Sequence, residues 1–413
     1  MLLPNLVIAL MASIALATIP LTTGNHPGLI DNNYIVVMKK GIDSEKIQAH
    51  YTSLKTTSGK LTGGMRGFVR HFQVHTFNAY HLECDNEMLE DIRGNDLVDY
   101  IAQDTWMTVQ TPIPKETILG FPSLRSRDDN QTVAWGLGRI SHRLPGIAAY
   151  VDVSAPSTRA YMLDTGIRLT HKEFGGRAIW GKTFIDGAPD ADDEGHGTAT
   201  AAIVGGDTVG VDNSTLLIAV KVLGKDGGTS TSTIDGIGWA VNDALNANAI
   251  SRSVINMSLG GPFSKATNDA IDAAVAAGMV VVVAAGNSND DSCDSSPSSA
   301  SNAITVAAID QQDRRSYYSS WGGCVNIFAP GDGIHTASFY GDDTYTSPSG
   351  TSVAAPHVAG IVTLLRARED LKTPKDVWDR ISQLGTRDRV QDAHDSTNLI
   401  AFNGNPAEME DGS

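Results

Sequence analysis

The chain has 413 residues, with 31 basic against 47 acidic side chains and a formal charge of −16 at neutral pH. Such a surface repels phosphate backbones and argues against a nucleic-acid partner. The apolar share of 41% and charged share of 19% exclude a disordered chain, and this length suits about two or three domains. Three cysteines are too few for a disulfide scaffold, and no Cys-x-x-Cys or His-Glu-x-x-His run offers a zinc site.

Leu2 to Leu21 is almost uncharged and mostly apolar, and Ala15-Leu16-Ala17 has the small-x-small pattern of a cleavage site. Residues 1–22 therefore read as a secretory signal peptide; the alternative is a membrane anchor of about 20 residues. No later stretch is apolar enough to span a membrane, so the expected location is extracellular. Residues 33–110 read as a small α+β unit. Its strands are expected at Tyr34–Met38, Phe68–Phe77, Tyr80–Glu83 and Val98–Ile101, with helices at Ser44–Leu54 and Met88–Arg93. Pro112, Pro114, Pro122, Arg125, Arg127 and Asp128-Asp129 mark 111–131 as an exposed linker.

A different pattern fills 132–404. Apolar runs at Ala160–Leu163, Leu216–Leu223, Val254–Met257, Met279–Ala285 and Ala303–Ala308 alternate with helical segments near 196–206, 232–247, 265–277 and 352–367. That alternation predicts an α/β fold, a mostly parallel twisted sheet with helices on both faces. Ligands on such sheets bind at the carboxyl ends of the strands. Residues 405–413 read as a loose acidic tail.

Three segments at element ends carry chemistry. Asp164 ends a strand and is followed by Thr165-Gly166; His196 lies in Gly195-His196-Gly197-Thr198 at a helix start; Ser352 follows Gly350-Thr351 before another helix. A serine hydroxyl needs a base to become a nucleophile, an imidazole suits that role, and a carboxylate fixes its tautomer. Gly350 is expected to form a sharp turn exposing the hydroxyl, and Gly195 and Gly197 to bring backbone close to the imidazole. Each segment alone is a common turn or cap; their joint occurrence in the order Asp…His…Ser is not.

The blocks Asp164-Thr165-Gly166-Ile167, Glu194-Gly195-His196-Gly197-Thr198 and Gly350 to Gly360 resemble those of the proteinase K-like branch of the subtilisin family of serine endopeptidases. The resemblance is close over about 130–404. It implies a subtilisin-like fold with Ser352 as nucleophile, His196 as general base then acid, and Asp164 as orienting carboxylate. Ala284-Ala285-Gly286-Asn287 resembles the block in which the Asn amide donates to the oxyanion. Ser258-Leu259-Gly260-Gly261 and Gly227-Gly228-Thr229 resemble the two edges that pair with extended substrate. Small side chains at 258–261 and 284–286 imply a roomy, uncharged pocket, and the family implies apolar or aromatic residues before the cut. Segment 33–110 more loosely resembles the family's inhibitor-type propeptide, which assists folding and occupies the cleft.

The family also implies a Cys293–Cys324 disulfide across 31 positions, while Cys84 would leave with the propeptide. Ala199 stands where a second His is usual, Val353 where Met is common, and Ser230 or Thr231 where a Tyr often borders the fourth substrate pocket. No cofactor is implied for the chemistry. A structural calcium is implied but weakened, because Asn326 stands where the family has a carboxylate. The acidic run Asp190, Asp192, Asp193 and Glu194 reads as a solvated loop, with a cation site as the alternative. Asn130 and Asn213 head glycosylation sequons; Asn256 heads another on an apparently buried strand. The partners implied are protein substrates and the chain's own propeptide, with the enzyme a monomer. A catalytically silent, peptide-binding relative is the alternative reading. A dinucleotide site is excluded, since no Gly-x-Gly-x-x-Gly follows the first strand of 132–404.

Overall fold

The computed structural model describes residues 19–22, 27–57, 65–109, 135–151 and 158–408. The expected leader lies outside them except at its end, as do the linker 111–131 and Asn130.

The N-terminal unit is an antiparallel sheet. Leu29–Met38 lies between Phe77–Glu83 and Val98–Val109, and Gly67–Val74 forms a hairpin with Phe77–Glu83. The single strand expected over 68–77 thus breaks at His75, whose φ of 49° turns the hairpin. Helices Ser44–Thr57 and Asn86–Arg93 contribute Ile47, Tyr51, Leu54, Met88, Leu89 and Ile92 to a private core. Leu21–Thr22, at the end of the expected leader, pairs in parallel with Ile101–Ala102.

The larger unit is built on a nine-stranded sheet. Its order is Thr386–Arg387, Leu399–Ile400, Ile327–Pro330, Ile304–Ile309, Val280–Ala284, Ser253–Met257, Arg159–Asp164, Leu216–Lys221 and Ala178–Thr183. Only the pairing of Thr386–Arg387 with Leu399–Ile400 is antiparallel. The central strands are uninterrupted runs such as Val280-Val281-Val282-Val283 because both faces are covered. Helices His196–Gly205, Thr351–Arg368 and Pro374–Leu384 cover one face. Ser230–Asn246 and Lys265–Ala276 cover the other. Against this second pair the N-terminal sheet lays Phe72, Val74, Phe77, Tyr100 and Ala102, so the two units share one apolar core.

The tail expected to be loose is held as far as Glu408. Asn405 is buried and its amide donates to the Ser141 carbonyl at the end of the helix Trp135–Ser141, while Glu408 meets His142 at 3.0 Å. Those groups satisfy a helix terminus that would otherwise lack partners.

Candidate active site

Asp164 is the last residue of its strand and is fully buried. Its Oδ1 accepts from the Thr165 N–H at 2.7 Å, and its Oδ2 from the Thr200 hydroxyl at 3.1 Å. The remaining valence faces His196, the first residue of its helix, whose Nδ1 lies 2.8 and 3.0 Å from the two oxygens. Burial disfavours the imidazolium, but the Asp164 carboxylate, then Glu194 and Asp192, outweigh it and raise the pKa of His196 above its ordinary 6.5.

Asp192, Asp193 and Glu194 of the acidic run hold this helix start. Asp192 accepts from Thr165 Oγ1, the Gly195 N–H, the Thr198 N–H and Thr198 Oγ1 at 2.5–2.9 Å. Glu194 accepts from the His196 N–H, and Asp193 pairs at 2.6 Å with the buried Lys221, whose Nζ also donates to the Thr165 carbonyl. Three of its four carboxylates are therefore engaged rather than simply solvated, while Asp190 is exposed and accepts from Thr183 Oγ1. The positioning role of the run, and that of Thr200, carried no local sequence signal.

Ser352 is the second residue of the helix Thr351–Arg368, entered through Gly350 at φ 147°. The sharp turn expected there is present. Gly195 and Gly197, on either side of His196, are packed tightly against other segments. A Cβ on Gly197 would lie 2.0 Å from the Gly166 carbonyl, and one on Gly195 would strike the Phe339 ring. Both glycines serve backbone and ring packing behind His196. His196 Nε2 and Ser352 Oγ, the two atoms that would exchange a proton, are both buried and lack a hydrogen-bond partner among the described residues. The second imidazole of this region, His357, is buried, donates from Nδ1 to the Val353 carbonyl, and has its pKa pushed down to about 4 by burial.

Asn287 follows the strand Val280–Ala284, and its Oδ1 accepts from the Thr351 N–H at 2.9 Å and Thr351 Oγ1 at 3.0 Å. Ser258 Oγ donates to the Ser352 carbonyl at 2.7 Å, which ties one cleft edge to the serine. That edge is occupied. Val98–Val109, far longer than the strand expected at 98–101, runs between both edges. It pairs Thr108 with Gly260 and Val109 with Leu259 on one side, and Trp106 with Thr229 and Met107 with Gly228 on the other. Gly227 bridges to Gly224 and holds the second edge in a turn.

Below this strand lies a cavity of ≈ 320 Å³, walled by Gly260, Gly261 and Pro262 against Ala284, Ala285 and Gly286. It is roomy, as the small residues imply, but not uncharged: Asp290 lines it with Ser288, Ser295 and Ser298. The expectation failed because the charge comes from a loop beyond the matched segments. Ser230 and Thr231 do not open a pocket. Both hydroxyls donate to Asp104 of the N-terminal unit.

Cys293 and Cys324 are bonded, with Cα atoms 5.4 Å apart, and Cys84 is a buried free thiol. Asn213 is half-buried, and Asn256 is fully buried with its amide on Ser258 Oγ. Asn326 Oδ1 accepts from the Thr305 N–H at 2.7 Å, and Lys375 lines the same groove. That amide oxygen is already engaged and adds no charge, which weakens it as a calcium ligand. Among the described residues, no helix is long and apolar enough to cross a membrane.

Comparison with known proteins agrees with this architecture. Residues 162–396 match the Subtilase family and 33–110 match Peptidase inhibitor I9. A Subtilisin-like protease 1 of Pseudogymnoascus destructans is 38% identical over 382 residues, 92% of this chain and 91% of that protein. A Subtilisin-like protease 4 of Arthroderma benhamiae is 37% identical over 383 residues, 91% of each chain. The crystal structure of a cold adapted subtilisin-like serine proteinase is similar at a TM-score of 0.61 and 38% identity. That match covers 66% of this chain and 98% of that one. A parallel sheet bearing Asp164, His196 and Ser352 at its strand and helix ends, with an inhibitor strand in its cleft, places this chain in the subtilase family of serine endopeptidases, made as a zymogen with an I9 propeptide.

Proposed function

We propose that this zymogen is secreted and, once mature, hydrolyses peptide bonds of proteins with broad specificity through Asp164, His196 and Ser352. The observation that carries the reading is the buried Asp164–His196 pair at 2.8 Å, together with two buried atoms left without a partner among the described residues, His196 Nε2 and Ser352 Oγ.

Ser352 Oγ adds to the scissile carbonyl carbon while His196 Nε2 takes its proton. Asp164 holds the Nδ1–H tautomer and stabilises the imidazolium. The carbonyl oxygen becomes an oxyanion that accepts from the Asn287 amide, which is bonded to Thr351 at the start of the helix Thr351–Arg368. The C–N bond then breaks, the imidazolium protonates the departing amine, and an acyl-Ser352 ester remains. Water repeats the sequence and releases the acid. No cofactor enters these steps.

Broad specificity is supported by main-chain pairing at Gly228-Thr229 and Leu259-Gly260, which reads backbone more than side chains. Secretion is supported by the apolar leader Leu2 to Leu21 and by the Cys293–Cys324 bond. Asn213 and Asn130 are the sugar acceptors this route would offer.

Casein hydrolysis by secreted wild type beside Ser352→Ala tests the proposal. Hydrolysis by wild type alone is expected. A folded, propeptide-free wild type that leaves casein intact would instead favour a peptide-binding relative.

A further inference from the structure

We infer that Asp290 makes the cavity beneath the cleft strand selective for a cationic side chain, lysine or arginine, at the substrate residue immediately before the cut. The inference rests on the peptidase reading above and narrows its substrate class.

Asp290 is the one charged residue among those that line the cavity. It comes from the loop just beyond Asn287, so its charge sits on the same segment that serves the proposed oxyanion site. The carboxylate is fixed in place. Its Oδ1 accepts from Ser320 Oγ at 2.6 Å, its backbone carbonyl accepts from the Trp321 N–H at 3.0 Å, and the Ser320 N–H donates to the Gly286 carbonyl at 3.0 Å. These bonds hold Asp290 beside the wall Ala284–Gly286. Among the described residues no lysine, arginine or histidine pairs with it, although many of the chain's other carboxylates have such a partner.

Once Gly28, Trp106 and Thr108 of the propeptide have left, the rest of the lining suits the same occupant. Gly260, Gly261, Ala284 and Ala285 give an apolar, side-chain-poor slot in which a long methylene stem can lie. Ser288, Ser295 and Ser298 add polar surface near the carboxylate. An aromatic or aliphatic occupant would push water off the Asp290 carboxylate and return nothing to it, whereas an ammonium or guanidinium replaces that water with an ion pair. Residues 112–413 carry 23 basic against 36 acidic side chains, an excess that attracts cationic segments to the mature enzyme as well.

The test uses five peptide p-nitroanilides that differ only in the residue before the cut: Phe, Leu, Gln, Lys or Arg. Mature wild type, Asp290→Asn and Asp290→Glu are compared, with fluorophosphonate labelling as the measure of folded enzyme. The expected result is a Lys:Phe ratio of kcat/KM that falls about five- to tenfold in Asp290→Asn and is kept in Asp290→Glu. In wild type the same ratio should shrink as ionic strength rises from about 0.05 to 1 M. An unchanged ratio in labelled Asp290→Asn overturns the inference. Should that variant fail to label, a wild-type ratio insensitive to salt overturns it equally. Wild type inert toward all five peptides would overturn the peptidase reading itself, and this one with it.

Discussion

The side-chain oxygen of Asn287 accepts hydrogen bonds from both the backbone N–H and the hydroxyl of Thr351, the residue before the proposed nucleophile. The amide is thereby oriented with its oxygen on Thr351 and its NH2 as the donor end. Asn287→Ala should lower kcat by about 10²–10³ with little change in KM, a range already known for this donor in subtilisin itself. Thr351→Ala removes the hydroxyl bond and keeps the N–H bond, so a smaller loss is expected. Steady-state kinetics on one peptide substrate checks both. A variant of Asn287 that raised KM and left kcat alone would place this amide in ground-state binding only.

The raised pKa of His196 sets a pH limb. Only the neutral imidazole can take the Ser352 proton, so activity falls as pH drops through that pKa. Because Asp164, Glu194 and Asp192 together outweigh burial, the midpoint of the acid limb in kcat/KM is expected above 6.5. Asp164→Asn should remove the largest upward influence, moving the limb to lower pH, and should cut kcat by about 10⁴. A wild-type midpoint at or below 6.5 would contradict the electrostatic account.

Asp104 ties the propeptide to the catalytic unit. Buried on the cleft strand, it accepts from Ser230 Oγ at 2.5 Å, from Thr231 Oγ1 at 2.7 Å and from the Thr231 N–H at 3.0 Å, at the start of the helix Ser230–Asn246. Asp104→Ala leaves those buried donors without an acceptor. In the full-length Ser352→Ala chain, where the propeptide stays attached, it should cost about 2–3 kcal/mol. Urea unfolding measures it; a loss under about 0.5 kcal/mol would show that the apolar contact alone holds the domains.

The bond between Cys293 and Cys324 closes a segment of 31 positions. In the chain-entropy treatment it stabilises by about 3–4 kcal/mol. Replacing both cysteines with serine should lower the unfolding free energy of covalently inhibited mature enzyme by that order, with reductant giving the same shift. Insensitivity to both would mean that neighbouring packing sets the stability here.

How legible was this molecule in its sequence? The central strands were, because runs such as Val280 to Ala284 are buried on both faces and leave no polar interruption. Ala178–Thr183 was not: it is an edge strand, and Trp180, Gly181 and Lys182 break any pattern. The helix Pro374–Leu384 was missed although Thr373, Pro374 and Asp376 spell a capping box with proline at its first position. Asp164, His196, Ser352 and Asn287 stand in short blocks at element ends, where local sequence and function coincide. Asp104 acts through partners distant in the chain, Asp290 lines a wall supplied by another loop, and Asp192 joins the nearby Gly195 and Thr198 to the distant Thr165. Nothing local marks such carboxylates off from solvated ones.

The central claim is that Ser352 is a nucleophile that first acts on its own chain. The cleft strand ends its described pairing at Val109 opposite Leu259, one residue from Ser258, which bonds the Ser352 carbonyl. The most direct measurement is the intact mass of secreted wild type and Ser352→Ala, each before and after fluorophosphonate treatment. Wild type is expected to have been cut beyond Val109 and to gain one label, while Ser352→Ala keeps its propeptide and gains none. Equal processing and equal labelling of the two proteins would contradict the account.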